Sequence, residues 1–202
     1  QTEQTMQLAR DALTGFAIRQ ERLPCPAVEN STNIPTMPPY WVIYAVAGVR
    51  DGTATSVAGT GEEAFAAGAS STTNGLCART TGFLPALTLG IGPTDEKGYL
   101  LDGWGNRLLY AVTDGDATNP RAFTTAKKLR TLGFAVTPNL FVCTATPGNA
   151  PTDCGVGVPG TRAPAVIVSL GKNYAQVAFG DEAFNNDGDR IFVAHTPGPG
   201  FD

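Results

Sequence analysis

The chain of 202 residues is poor in the residue types on which common catalytic and metal centres depend. It contains one histidine, His195, and its four cysteines include no C-x-x-C pair. Because structural zinc is held mainly by cysteine and histidine, these shortages argue against a zinc site. The G-x-S-x-G motif of hydrolases and the G-x-x-x-x-G-K-[ST] motif of phosphate-binding loops are also absent. We therefore predict that the protein is not an enzyme.

Charged residues and long apolar runs are scarce as well. Charged residues make up 16% of the chain, and 14 basic against 18 acidic residues give a net charge of −4 at pH 7. A nucleic-acid-binding surface needs an excess of basic residues, so we expect no nucleic-acid partner. No run reaches the roughly 18 apolar residues that a membrane span requires. Glycine and proline are abundant, at 24 and 15 residues, which predicts many turns and irregular loops.

The first 22 residues, Gln1 to Arg22, have the pattern of one amphipathic helix. Its apolar residues recur at steps of three and four and so share one face: Met6, Ala9, Leu13, Phe16 and Ala17. Pro24 and Pro26 follow, and because proline cannot continue a helix they predict where it ends.

The four cysteines can pair in three ways. We favour Cys25–Cys77 and Cys143–Cys154, because the second pair flanks a short loop rich in proline and glycine that can close as a hairpin. Two disulfides would place the protein in an oxidising compartment.

The remainder of the chain predicts short strands separated by loops. The candidate strands are Tyr40–Ala47, Arg107–Thr113, Leu140–Thr144, Ala165–Leu170 and Arg190–His195. Ala165–Leu170 is the most apolar, so we expect it at the centre of the sheet. Glu62–Ala67 and Arg121–Leu132 are candidate short helices. A helix followed by about five strands predicts one α+β domain over residues 1–202, with the helix at 1–22 and a globular part at 23–202.

The order of helix, disulfide loop and sheet resembles the type IV pilin family, which includes the pseudopilins of type II secretion. The segment D-G-W-G-N-R-L at Asp102–Leu108 is similar to the Asp-x-Trp-Gly-Asn turn of major pseudopilins. The other segments that carry the resemblance are Ala12–Ala17 with Arg22–Pro26, Gly82–Pro85 with Leu87–Gly90, and Asp187–Val193.

This resemblance implies a pilin-like fold, in which a long N-terminal helix packs on an antiparallel sheet and disulfides pin long loops. The implied function is structural, as a minor pilin or minor pseudopilin of a type IV pilus or type II secretion filament. The implied partners are other pilin or pseudopilin subunits, through the helix, and the inner membrane, through an apolar segment upstream of Gln1. The expected location is the bacterial inner membrane and periplasm, or the cell exterior as part of a pilus.

Two candidate sites follow. The assembly helix would divide its apolar residues between the sheet and neighbouring helices, and we assign to it Leu8, Ala9, Leu13, Phe16 and Ala17. A calcium site is the second candidate, because hard cations take oxygen ligands and the resemblance implies calcium in a loop of this general location. Its candidate ligands are Asp181, Asn185, Asp187 and Asp189, and the alternative is a metal-free Asn/Asp/Gly turn. We also expect Trp104 to anchor its turn to the sheet.

Two alternative functions remain open at this point. The first is an adhesin-like or substrate-binding tip module on the same fold, which exposed aromatic residues in the Val28–Pro39 or Thr146–Gly160 loops would favour. The second is a secreted hydrolase, which would need a Ser/His/acid cleft around His195.

Overall fold

The computed structural model of the chain describes residues 1–29, 59–115, 118–147, 153–172, 184–185 and 188–194. The predicted strand Tyr40–Ala47 lies outside these ranges. Within them, no helix is long and apolar enough to cross a membrane.

The predicted N-terminal helix is confirmed as α1, Thr2–Gln20. Ala9, Leu13 and Phe16 are its buried residues, as the periodicity predicts. The helix ends at Glu21, whose left-handed backbone (φ 53°) turns the chain before the two prolines arrive. The proline pattern therefore places the helix end within two residues of its observed position.

The first sheet contains β1 (Thr81–Phe83), β2 (Leu109–Val112) and β5 (Ala165–Val168), in the order β1-β2-β5. Both strand pairs are antiparallel. All four residues of β2 are buried, and this strand holds the centre.

The expectation of a central position for Ala165–Leu170 is wrong, because β5 lies on one side of β2 and is only partly buried. Ala165 and Ile167 pack against the main core, whereas Val166 and Val168 pack against a second cluster that includes Phe192. The run of apolar residues in β5 therefore reflects that other side chains pack against both faces of this strand.

The second sheet contains β3 (Leu140–Cys143), β4 (Gly160–Ala163) and β6 (Ile191–Val193), in the order β4-β3-β6. The pair β3–β4 is antiparallel, but β3–β6 is parallel. The prediction of one antiparallel sheet is corrected here to two small sheets, one of them mixed. Parallel pairing needs a long connection, and the chain between β3 and β6 supplies it.

Three short elements complete the described architecture: the helices α2 (Ala86–Leu89) and α3 (Lys128–Leu132), and a 3-10 helix at Gly133–Ala135. The helix α3 lies within the predicted segment Arg121–Leu132. The predicted helix at Glu62–Ala67 is wrong, because Phe65 instead forms a bridge with Cys77. The main core lies between α1, α2 and the face of β2 that carries Tyr110 and Val112. The α+β class is thus confirmed.

Candidate functional site

The end of α1 is fixed to the globular part by a buried ion pair. The Nη1 and Nη2 atoms of Arg22 donate to Oε2 and Oε1 of Glu63 at 2.7 and 2.6 Å. Glu63 Oε2 also accepts a hydrogen bond from the backbone N of Cys25 at 3.2 Å. The guanidinium lies over the rings of Phe16 and Phe65, at 4.9 and 5.6 Å from their centroids. Because Arg22 is only 5% exposed, this pair is largely removed from water.

Both predicted disulfides are present. Cys25 joins Cys77 and Cys143 joins Cys154, with Cα–Cα distances of 5.3 and 5.4 Å. The first bond lies next to the Arg22 ion pair, where it connects the segment after α1 to the segment before β1. The second closes the loop between β3 and β4.

The start of α1 is held by the Asp102–Asn106 turn. The backbone N of Gly103 donates to Thr2 Oγ1 at 2.9 Å. The carboxylate of Asp102 organises the turn, since its Oδ1 accepts from the backbone N of Trp104 and of Asn106, each at 2.9 Å. The loop that contains this turn therefore lies against the first residues of the helix.

The expectation that Trp104 anchors this turn to the sheet is also wrong, because its side chain is 54% exposed. The anchors are polar: Ser169 Oγ donates to Asp102 Oδ2 at 2.7 Å, and Asn106 Nδ2 donates to the carbonyl of Gly171 at 2.6 Å. Since hydrogen bonds fix the turn, the indole is left at the surface beside the start of α1.

The assembly residues divide unequally between core and surface. Ala9, Leu13 and Phe16 are buried, and Ala17 packs partly buried against the same core. Leu8 is 40% exposed and can contact a neighbour. Sequence reasoning missed Ile18, which is 75% exposed. Its exposure could have been predicted from its position. Ile18 follows Ala9 by nine residues, which is two and a half helical turns, so it lies on the side of the helix opposite the buried face.

The candidate calcium ligands do not meet as a cluster in the described part of the chain. Asp181 and Asp187 lie outside it. Asn185 uses its side chain to bind Val193, with Oδ1 accepting from the backbone N at 2.6 Å and Nδ2 donating to the carbonyl at 2.9 Å. Asp189 Oδ1 accepts from the backbone N of Ile191 at 2.5 Å. The side chain of Asp189 thus holds the start of β6 and that of Asn185 holds its end, and the calcium site remains a prediction.

The substitution Asp189→Asn separates the two interpretations. Asparagine can still accept the Ile191 hydrogen bond but removes the negative charge that a calcium ion prefers. If calcium binds, the wild type should melt several degrees higher in millimolar calcium than in excess chelator, and Asp189→Asn should remove this difference. Thermal unfolding by circular dichroism measures it. Equal wild-type melting temperatures in the two buffers would show that the segment is a turn that does not bind calcium.

The Ser/His/acid cleft around His195 that a hydrolase would need is not tested by the described part of the chain. Ser169 donates its hydroxyl to Asp102, which places it in the support of the Trp104 turn. His195 lies outside the described residues. The groups that sequence reasoning missed are structural ones: Arg107 contacts Asp95 at 2.8 Å and Glu29 at 3.2 Å, between segments far apart in the chain.

This second ion cluster ties the end of the N-terminal segment to the loop before β2. Burial raises the pKa of Glu29, but hydrogen bonds from Lys97 and Arg107 outweigh it, so the net shift is downward. The pKa of Asp95 is also lowered, because bonds from Tyr99 and Arg107 outweigh its burial. Both carboxylates therefore contribute stability that is lost when acid protonates them.

Comparisons with known proteins add no relative: no family model, curated protein or solved structure matches the chain. The geometry of the candidate site must therefore be interpreted on its own. It consists of a helix fixed at both ends, with apolar side chains left at the surface on its outer sides.

Proposed function

We propose that this chain is a structural subunit, a minor pilin or minor pseudopilin, of a type IV pilus or type II secretion filament. The observation that carries the proposal is the state of α1. One face is locked into the core by Ala9, Leu13 and Phe16, while Leu8 and Ile18 remain exposed. Exposed apolar side chains such as these two are available to pack against other helices.

The attachment of α1 supports a role that transmits force. The hydrogen bond from Gly103 to Thr2 holds its start, and the Arg22–Glu63 pair and the Cys25–Cys77 disulfide hold its end. A load applied along the helix would therefore pass into the Asp102–Asn106 turn at its start and into the segments that carry Glu63 and Cys77 at its end. This is what a filament needs where a helical stem meets a globular head.

The proposed partners and location follow from the same role. Other pilin or pseudopilin subunits would pack on the exposed side of α1, and an apolar segment upstream of Gln1 would anchor the subunit in the inner membrane. The two disulfides suit the periplasm or the cell exterior, where such bonds persist. A structural role in this place requires no catalysis.

The substitution Leu8→Asp tests the proposal. Leu8 is exposed in the isolated subunit, so the change should leave the free energy of unfolding within about 0.5 kcal/mol of the wild-type value. In a filament the aspartate would be buried between helices without a partner, which is strongly unfavourable. We expect at least about tenfold less subunit in sheared filament fractions, measured by immunoblotting of cells that make the full-length protein.

The matched control is Val156→Asp, which makes the same apolar-to-acidic change at an exposed residue in the loop between β3 and β4. It should enter filaments at the wild-type level. Recovery of Leu8→Asp in filaments at that same level would contradict assembly through this side of the helix.

A second candidate function is a tip module that binds a ligand, and the exposed Trp104 favours it. An indole presented on a rigid turn is a common anchor in binding interfaces. In this role Trp104→Ala would abolish adhesion or substrate recruitment while leaving the amount of subunit in filaments unchanged, whereas Leu8→Asp would reduce both.

A further inference from the structure

A cavity of about 200 Å³ has three arginine residues in its walls, between the end of β2 and the start of β6. These are Arg79, Arg121 and Arg190, and Asp114 also lines the cavity. This cluster is separate from α1 and plays no part in the proposed filament role.

The three arginines come from distant parts of the chain and are placed by backbone hydrogen bonds. Arg79 precedes β1, next to Thr80, whose carbonyl accepts from the N of Val112 at 2.9 Å. Arg190 directly precedes β6, and its carbonyl accepts from the N of Phe141 at 2.8 Å. Both of these arginines are thus held at the start of a strand.

The third arginine is held by the loop that follows β2. The backbone N of Arg121 donates to the carbonyl of Asp114 at 2.5 Å, and the residue adopts a left-handed conformation with φ 58°. The carbonyl of Arg121 in turn accepts from the N of Thr125 at 3.0 Å. These bonds fix Arg121 and Asp114 relative to each other.

The arginines of the cavity differ in their partners from Arg22, which is buried, and from Arg107, which is half-buried. Arg22 and Arg107 each bind carboxylates at short distance. Across the described segments, the guanidinium groups of Arg79, Arg121 and Arg190 neither donate a hydrogen bond nor form an ion pair, although all three are half-buried. Among the described wall residues, Asp114 is the one acidic residue that faces these three arginines, so positive charge is in excess there.

The charge count indicates how large that excess is. Among the described residues of the cavity wall, three arginines and one aspartate sum to two positive charges. Like charges around one cavity repel one another, and a dianion between them would offset the repulsion. Arginine is suited to this task, because its planar fork binds two oxygens of a phosphate or carboxylate at once.

The volume limits the size of the ligand. At about 30 Å³ for each water-sized group, the cavity holds roughly six or seven such groups. This is below the range of about 300–1,000 Å³ that drug-sized ligands occupy. A phosphate or sulfate group with at most a short substituent fits this space.

We propose that this cavity binds a small dianionic oxyanion, a phosphate or sulfate group, between the guanidinium groups of Arg79, Arg121 and Arg190. Asp114 opposes this anion by its own negative charge and so tunes the affinity. Burial raises the pKa of Asp114 against the effect of the neighbouring Arg190 and Arg121.

Isothermal titration calorimetry with inorganic sulfate, at constant ionic strength, tests the proposal. The wild-type protein should show one saturable site. Arg79→Gln and Arg190→Gln should each weaken binding about tenfold or more, since each removes charged hydrogen bonds to the anion. The control Arg19→Gln removes an exposed arginine on α1 and should leave the affinity unchanged.

Asp114→Asn keeps the test decisive even if an arginine variant folds poorly. Removing the carboxylate should tighten sulfate binding about threefold to tenfold, and a gain of affinity cannot result from misfolding. Titrations with inorganic phosphate and with glycerol phosphate then distinguish a free ion from a phosphate ester. The ligand that binds more tightly shows which of the two the cavity prefers.

Three results would overturn the proposal. The first is the absence of saturable sulfate or phosphate binding. The second is an equal affinity in Arg79→Gln, Arg190→Gln and the Arg19→Gln control. The third is tighter binding of succinate than of either tetrahedral anion, which would assign the cavity to planar carboxylates.

Discussion

Replacing Glu63 with alanine should lower the free energy of unfolding by about 3–5 kcal/mol, because it leaves the Arg22 guanidinium buried without a counter-charge. The side chain of Arg22 is 6% exposed and that of Glu63 is 15% exposed, so water cannot take the place of the lost carboxylate. The substitution also removes the acceptor of the Cys25 backbone N–H. Urea unfolding of the purified protein measures the change.

The exposed pair Arg130–Glu21 supplies the matched control. Its N–O distance is 3.2 Å, but the arginine side chain is 76% exposed. Solvent-exposed pairs contribute about 0–1 kcal/mol, so Glu21→Ala should have a small effect. The double variant Arg22→Met with Glu63→Leu should recover much of the lost stability by removing both charges. A loss below about 1 kcal/mol in Glu63→Ala would show that the pair is dispensable.

Removing the Cys25–Cys77 disulfide should destabilise the protein by about 4 kcal/mol, and removing Cys143–Cys154 by about 3 kcal/mol. The two bonds close loops with sequence separations of 52 and 11 residues, and the longer loop regains more entropy in the unfolded chain. Alanine at both positions of each pair avoids a free thiol.

The packing loss should be similar in the two double variants, because all four cysteines are buried. The comparison therefore isolates the effect of loop length. For a chain of this size, thermal unfolding should show a fall of about 8–16 °C for the Cys25/Cys77 variant. A larger fall for the Cys143/Cys154 variant would contradict the loop-length explanation.

The parts of the fold that depend on local pattern were predictable. The burial of Ala9, Leu13 and Phe16 follows from a helical period that one sequence shows directly. The strands β2, β3, β5 and β6 all lie within predicted segments, because each is a short run of apolar and β-branched residues.

The parts that depend on close approach were not predictable. Gly82 lies inside β1, although glycine in a sequence suggests a turn. A side chain there would place its Cβ 2.5 Å from the carbonyl O of Ala27, so the strand requires glycine. Gly160 in β4 is required for the same reason, because a Cβ at this position would overlap the Sγ of Cys154. Sequence alone cannot show which neighbour excludes a side chain.

The candidate sites divide in the same way. The disulfides followed from four cysteines and one short loop, but the Arg22–Glu63 pair joins residues 41 positions apart, with no pattern between them. The three arginines of the cavity are further apart still. Ion pairs and charge clusters of this kind arise from tertiary packing, so they cannot be predicted from the local sequence around each residue.

The parallel pairing of β3 with β6 also affects biosynthesis. β6 begins at Ile191, which leaves the ribosome 48 residues after Cys143, the last residue of β3. At about 5–20 residues per second, β3 would wait roughly 2–10 s for this partner. Its edge is open during that interval, and an unpaired edge is where a nascent chain pairs wrongly or aggregates. The late arrival of three residues thus sets the length of time for which this edge is exposed to wrong pairing during synthesis.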